Sequence, residues 1–478
     1  MSLSISSAIS SAVRSKFALI FGVNSSTMER AVAIDPEFAS AYRWLAWAYR
    51  NTGFASEYNR YIQKAFELSD RLPDRERYQI QGDFYFRSEE TYDKAVEAYN
   101  KLLELYPDDW LGNQILGVIY RNMEEWDKAI ERFEVNIKNR IENFYSYNGQ
   151  SRAYSNKGFY DKAIEVCENY IIAFSDHFEI RFSLAMNYLC KAEYDNALGE
   201  ADKAFSLDPV NHWNPYLKGY IYHCKGDLIK AEKEFDKLLN MKQERAKLFA
   251  MSRFGFLYLL QGKFEKSREQ NMLGITLVEK ADDKIWISEF YVNLSYLYLI
   301  SGNPRDALID CDKALNSAVT AKNLDYQRLA LYYKGLAYLK MESMDEAQRT
   351  ADELKELIER GVKKKSNRYY LHLMGMIELE RENFSKAIGY FKEAVSLLPS
   401  QSWKFSGERH ALFIDPLALA YYKAIDLENA REEYEKITTL ITGRLSYGDI
   451  YAKSFYMLGK IYEEQGDAIK ALELFPQI

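Results

Sequence analysis

Residues 110–133 read WLGNQILGVIYRNMEEWDKAIERF, and the fold is decided by two phrases inside them: Leu116-Gly117-x2-Tyr120, then Ala129-x3-Phe133. The second phrase returns on both sides. WDKA at 126–129 is matched by YDKA at 92–95 and 160–163, YDNA at 194–197 and LIKA at 228–231, so Ala95, Ala129, Ala163, Ala197 and Ala231 stand 34 residues apart. Beyond them the equivalent slots are Ser267, Ala307, Ala347, Ala387, Ala430 and Ala471, at intervals of 36, 40, 40, 40, 43 and 41. A fixed period of this length describes a line of stacked supersecondary units with no single central core.

Each slot has a packing reason. Small residues on the first helix of a unit (Gly82, Gly117, Gly219, Gly335, Gly375, Gly459) and the alanine on the second let two helices approach, while Tyr and Phe one turn away fill the space between. The register predicts twelve helix pairs, opening near residues 39, 75, 110, 144, 178, 212, 248, 288, 328, 368, 411 and 452, after a half unit that closes at Asp35-Pro36. The chain therefore divides into an N-terminal extension (1–23), a partial repeat (24–38), regular 34-residue repeats (39–247) and longer repeats of about 40 residues (248–478), the last one truncated. Gly53, Gly158, Gly226, Gly262, Gly302 and Gly466 fall between paired helices, where a left-handed cap is needed. Asn214-Pro215, Asn303-Pro304 and Asp415-Pro416 read as helix N-caps followed by the first helical residue, and Trp213 is placed in the preceding turn. Pro36, Pro73, Pro107, Pro209 and Pro399 fall between repeats, whereas Pro476 stands where the last helix should still run. Residues 361–367 and 400–410 break the pattern and predict bends.

The composition narrows function by exclusion. With 63 basic and 70 acidic residues the formal charge is −7, and no basic block interrupts the helices, so neither nucleic acid nor an anionic membrane is an expected partner. The apolar run Phe17–Val23 is too short to span a bilayer. The four cysteines contain no CxxC pair; Cys190 and Cys224 share a slot in neighbouring repeats, too far apart for a disulfide, and are read as reduced thiols in the cytoplasm. No phosphate-binding glycine loop, HExxH, GxSxG or kinase motif is present, and the five histidines have no ligand-like spacing. His223-Cys224 with Cys190 gives only three potential ligands and is read as a groove-lining or partly buried group. The expectation is a non-enzyme without metal or cofactor.

By these slots the chain resembles the tetratricopeptide repeat superfamily over roughly residues 24 to 478. The resemblance implies an all-α, right-handed superhelical solenoid of about twelve helix-turn-helix repeats, whose first helices line a concave groove that binds extended peptides or partner helices. The longer repeats are similar in texture to those of bacterial signalling and regulatory proteins, some attached to serine/threonine kinase domains. A second reading is therefore a regulatory or sensor arm of a larger enzyme, and a third is an RNA-binding helical repeat.

Helical spacing then gives the inward stripe: Arg43, Trp47, Arg50 and Asn51; Gln79 and Arg87; Gln114, Arg121 and Asn122; Asn148, Arg152 and Asn156. Arginine forks and amides suit carboxylates and peptide backbone, so this half is expected to take an acidic or C-terminal-carboxylate peptide. The competing reading is a solvated groove whose arginines pair with acids on neighbouring helices. In the middle repeats the stripe becomes Phe182, Met186, Tyr216, Tyr220, His223, Phe249 and Phe256, which reads either as an anchor for a partner or as a face buried by curvature.

Overall fold

The computed structural model describes residues 25–52, 55–140, 143–402 and 409–474, and the side chains of all of these except 25, 26, 51, 52, 55 and 56. The N-terminal extension, Gly53, Pro476 and the side chain of Asn51 lie outside them. Apart from three single 3-10 turns, every regular element described is an α-helix. Ser25–Ile34 precedes twelve helix pairs among the described residues, beginning with Ala39–Thr52 and Ala55–Glu67 and ending with Gly448–Glu464 and Ala468–Leu474. The protein is an all-α helical-repeat solenoid. The described residues divide into two compact units, one within 25–119 with 135–140, the other within 120–134 with 143–474.

The turn between paired helices repeats at one position in ten of the pairs, whereas a 3-10 turn, Glu89–Thr91, stands before Ala95. Glu124, Gly158, Ala192, Gly226, Gly262, Gly302, Glu342, Glu382, Ile425 and Gly466 all have φ between +58° and +85°, and each stands five residues before a ladder residue. Half of these left-handed positions are not glycine, so composition alone marks only half of the turns. Ile425 is the costly one, because a β-branched side chain crowds its own backbone there.

The ladder residues themselves are buried: Ala95, Ala129, Ala163, Ala197, Ala231, Ala307, Ala347, Ala387 and Ala430 are fully inaccessible. One turn later the second helix meets the small slot of the first, and the two sizes are reciprocal. A Cβ built on Gly82 would lie 2.4 Å from the Tyr99 ring, one on Gly219 2.5 Å from Phe235, and one on Gly375 2.5 Å from Phe391. Where the slot holds serine its partner is cysteine: the Cys167 thiol lies 3.2 Å from Ser151 Oγ, and Cys311 bonds Ser295. These two cysteines are therefore packing residues.

The aspartate of the repeated YDKA phrase has a separate surface role. Asp127, Asp161 and Asp195 accept from Lys157, Lys191 and Lys225, the latter two pairs at 2.8 and 3.0 Å. All three carboxylates are exposed, so each pair contributes at most about 1 kcal/mol.

The stretched period comes from longer helices. Phe178–Cys190 and Tyr194–Leu207 have 13 and 14 residues, whereas Lys284–Ile300 and Pro304–Thr320 have 17 each. The added turn lies at the start of the first helix, so Glu244, Lys284, Leu324 and Gly448 open helices four residues before the expected positions. Two capping expectations are corrected. Pro215 is the third residue of Trp213–Lys225, and Pro416 lies inside His410–Lys423, so only Pro304 is a first-position proline. Trp213 accordingly begins a helix and packs edge-on against Phe182 and Tyr216.

Candidate functional site

In the first unit the expected stripe is organised around a carboxylate that stripe spacing did not select. Asp83 is fully buried and accepts from Arg43 Nε at 2.6 Å, from Trp47 Nε1 at 2.6 Å and from the Tyr99 hydroxyl. Arg43 Nη1 also donates to Gln79 Oε1 at 3.1 Å, and Gln79 Nε2 donates to Asp109 at 3.2 Å. Burial works against the Arg43 charge, but Asp83 and Tyr99 outweigh it and hold its pKa above the ordinary value. Arg43 thus pairs with an acid on the next repeat, and its Nη2 is buried without a hydrogen-bond partner.

The other stripe residues of this unit are engaged by aromatic rings or buried. Arg50 lies 4.4 Å from the Phe86 ring centroid and 4.9 Å from that of Trp47. Arg87 covers Phe84 at 3.7 Å and donates to its carbonyl at 2.9 Å. Gln114 is buried. Desolvated cation–π contacts of this kind contribute up to about 2 kcal/mol and position the guanidinium.

Beside this network the first unit has an open pocket of about 320 Å³, lined by Ser40, Arg43, Trp44, Arg75, Glu76, Gln79, Asp109, Trp110 and Leu111. Arg75 is half-exposed and pairs with the buried Asp109 at 2.8 Å. Trp44, Arg75, Asp109 and Trp110 were not among the expected site residues. A signal was present, because Arg75 and Asp109 are opposite charges one 34-residue period apart.

In the second unit the stripe is desolvated. Burial lowers the Arg121 pKa to about 9, with the charge of Arg152 adding to the effect, and burial lowers Arg152 to about 10. Asn122 is half-buried. Asn148 accepts from Ser183 at 3.1 Å. Asn156 holds an extended segment of its own chain: its carbonyl accepts from Ser400 N at 2.9 Å and its Oδ1 from Ser402 Oγ at 2.7 Å, while Tyr160 donates to the Gln401 carbonyl at 2.7 Å. Nearby, Arg368 makes a two-pronged pair with Glu124 at 2.6 and 2.9 Å, across 244 residues of sequence.

The aromatic stripe is also covered. Tyr216 and Tyr220 are buried in one cluster with Phe182, Met186 and Leu445, and Phe249 and Ile441 pack against it. His223 is buried with neither ring nitrogen hydrogen-bonded, and burial plus the charges of Arg253 and Arg444 depress its pKa to about 3. All four cysteines are buried and none is in a disulfide. Among the described residues no group of three or more His, Cys, Asp or Glu could hold a metal ion, and no helix is long and apolar enough to cross a membrane.

Two tetratricopeptide repeat family models match the chain, over residues 76–109 and 114–143. A TPR repeat-containing protein of Methanocaldococcus jannaschii is 22% identical in an alignment 318 positions long that covers 58% of this chain and 53% of that protein. The chain thus spans about half the length of this curated relative. Among solved structures, a chain of the APC/C hetero-tetramer Cut9–Hcn1 is 15% identical, with 95% of this chain and 90% of that one covered at a TM-score of 0.38. Tetratricopeptide repeats generally mediate protein–protein interaction. The family matches lie on two of twelve helix pairs that follow one register of small and aromatic positions, and together these findings support a tetratricopeptide repeat superfamily protein.

Proposed function

We propose that the protein is a non-enzymatic scaffold, working in the cytoplasm, whose first unit binds an extended protein segment ending in or carrying a carboxylate. The observation that carries this reading is the pocket beside Arg75. Its two indoles, Trp44 and Trp110, offer apolar walls, and the half-exposed Arg75 can turn from Asp109 towards an incoming carboxylate. Arg43 and Gln79 then act as positioning residues, since Asp83 and Asp109 already engage them.

The test is a panel of immobilised acidic peptides, each made with a free carboxyl terminus and as the amide, probed with the full chain and with Arg75→Ala and Trp44→Ala/Trp110→Ala variants. Free-acid peptides should be retained by the wild type, and both variants should lose them. Equal retention of acid and amide forms, or binding unchanged in both variants, sinks the assignment.

A further inference from the structure

The aromatic stripe of the second unit already has an occupant. Residues 439–447 join the helices Leu427–Thr438 and Gly448–Glu464 without regular structure of their own, yet Leu440, Thr442, Gly443, Leu445, Ser446 and Tyr447 are all buried. Connecting segments ordinarily run over the surface, because their backbone groups need water. Here the chain supplies the replacement: Gln401 Oε1 accepts from Ile441 N at 2.7 Å and from Gly443 N at 3.3 Å, and Ala411 N donates to the Gly443 carbonyl at 3.0 Å. Leu445 is buried in the same apolar cluster as Phe182, Met186, Tyr216 and Tyr220. Tyr447 shares a hydrogen bond with Tyr333 at 3.0 Å. The entry point admits only glycine, since a Cβ on Gly448 would lie 2.6 Å from the backbone of Leu260. A main-chain clamp, an apolar pocket and a polar head are the parts of a peptide-recognition site.

The fit is good at the leucine and poor at the neighbouring arginine. Arg444 donates to the Cys224 carbonyl at 3.3 Å and lies over Tyr451. That position brings a second guanidinium beside His223, where Arg253 already covers Tyr216 and Tyr220, and His223 is left without a hydrogen bond. A segment with an acid at this position would bring an opposite charge towards Arg253, where the chain's own segment adds a like charge.

We propose that residues 440–447 are a replaceable occupant of this face, displaced by an extended partner segment that places leucine where Leu445 lies and a carboxylate where Arg444 lies. The inference concerns the second unit and is independent of the pocket beside Arg75. It is tested on the full chain with two labelled peptides, TTLITGRLSYGDI from residues 438–450 and the same peptide carrying Arg444→Glu. The wild type should bind both weakly, a Leu445→Ala chain should bind both, and the glutamate peptide should bind about tenfold more tightly. Arg444→Ala leaves Leu445 in place and serves if Leu445→Ala does not fold. Failure of both peptides to bind either variant overturns the proposal. So does wild-type amide exchange in 440–447 that is as slow as in Lys284–Ile300, because the segment would then open only with the whole unit.

Discussion

Replacing Asp83 with alanine tests how the first unit holds its stripe. The carboxylate has no exposure and three donors, of which Arg43 is charged and itself buried. Removing it leaves the Arg43 guanidinium beside neutral acceptors only, and breaking one side of a buried pair costs about 3 to 5 kcal/mol. With a urea slope of about 2 kcal/mol/M, the transition reported by Trp44, Trp47 and Trp110 should move down by about 2 M. Because the Asp83 network lies within the first compact unit, the later repeats should keep their helicity while the early ones melt. Adding Arg43→Met to Asp83→Ala removes the orphaned charge and should recover more than half of the loss, leaving about 1 to 2 kcal/mol for the unsatisfied Trp47 and Tyr99 donors. A midpoint shift worth under about 1 kcal/mol, or a double variant no more stable than Asp83→Ala, would refute the hub argument.

Four further outcomes are expected. Gly219→Ala should destabilise by about 1 to 3 kcal/mol through the Phe235 ring, and Phe235→Leu in the same chain should restore part of it; a neutral Gly219→Ala in thermal unfolding contradicts the reciprocal-size rule. Ile425→Gly should raise stability by about 1 kcal/mol, since the side chain is exposed and its backbone left-handed, and a lower unfolding midpoint counts against it. His372 is held neutral between the Tyr332 hydroxyl and the Leu412 carbonyl, and His223 by burial, each with its pKa lowered from 6.5 to about 3. The unfolded chain then binds more protons, so their stabilisation is complete above pH 6.5 and is lost as pH falls towards 3, at about 1.4 kcal/mol per pH unit for each histidine. Urea titrations of His372→Gln should show an acid limb shallower by one proton, and an unchanged slope contradicts the assignment. Burial raises the Cys167, Cys190 and Cys311 thiols to about 12, so a thiol reagent at pH 8 should label them only on unfolding, and rapid labelling of any one in the native protein contradicts this.

The repeat register was legible because its causes are local. Ala129 and Phe133 are one turn apart, and the left-handed residue Glu124 lies five residues earlier, so the spacing of side chains fixes how two adjacent helices meet. The same locality explains the helix count and the opening residues of the regular pairs. It did not show that Pro416 sits within a helix, because an Asp-Pro pair looks alike at a first turn and deeper in one.

The sequence by itself determined the small, aromatic and turn positions, and through them an array of twelve helix pairs, since each depends on neighbours within about one repeat. It also placed Arg43, Asn156, Tyr216 and Tyr220 on first helices. Only the tertiary structure decided what those side chains meet. Asp83 takes Arg43 from the next repeat, residues 400–402 reach Asn156 across 244 to 246 positions, and Leu445 is buried in one cluster with Tyr216 and Tyr220. The last two contacts follow from the accumulated rotation of many helix pairs. No periodic signal marks residues that meet after six or more repeats, because burial and charge pairing at that range depend on the path of the whole array.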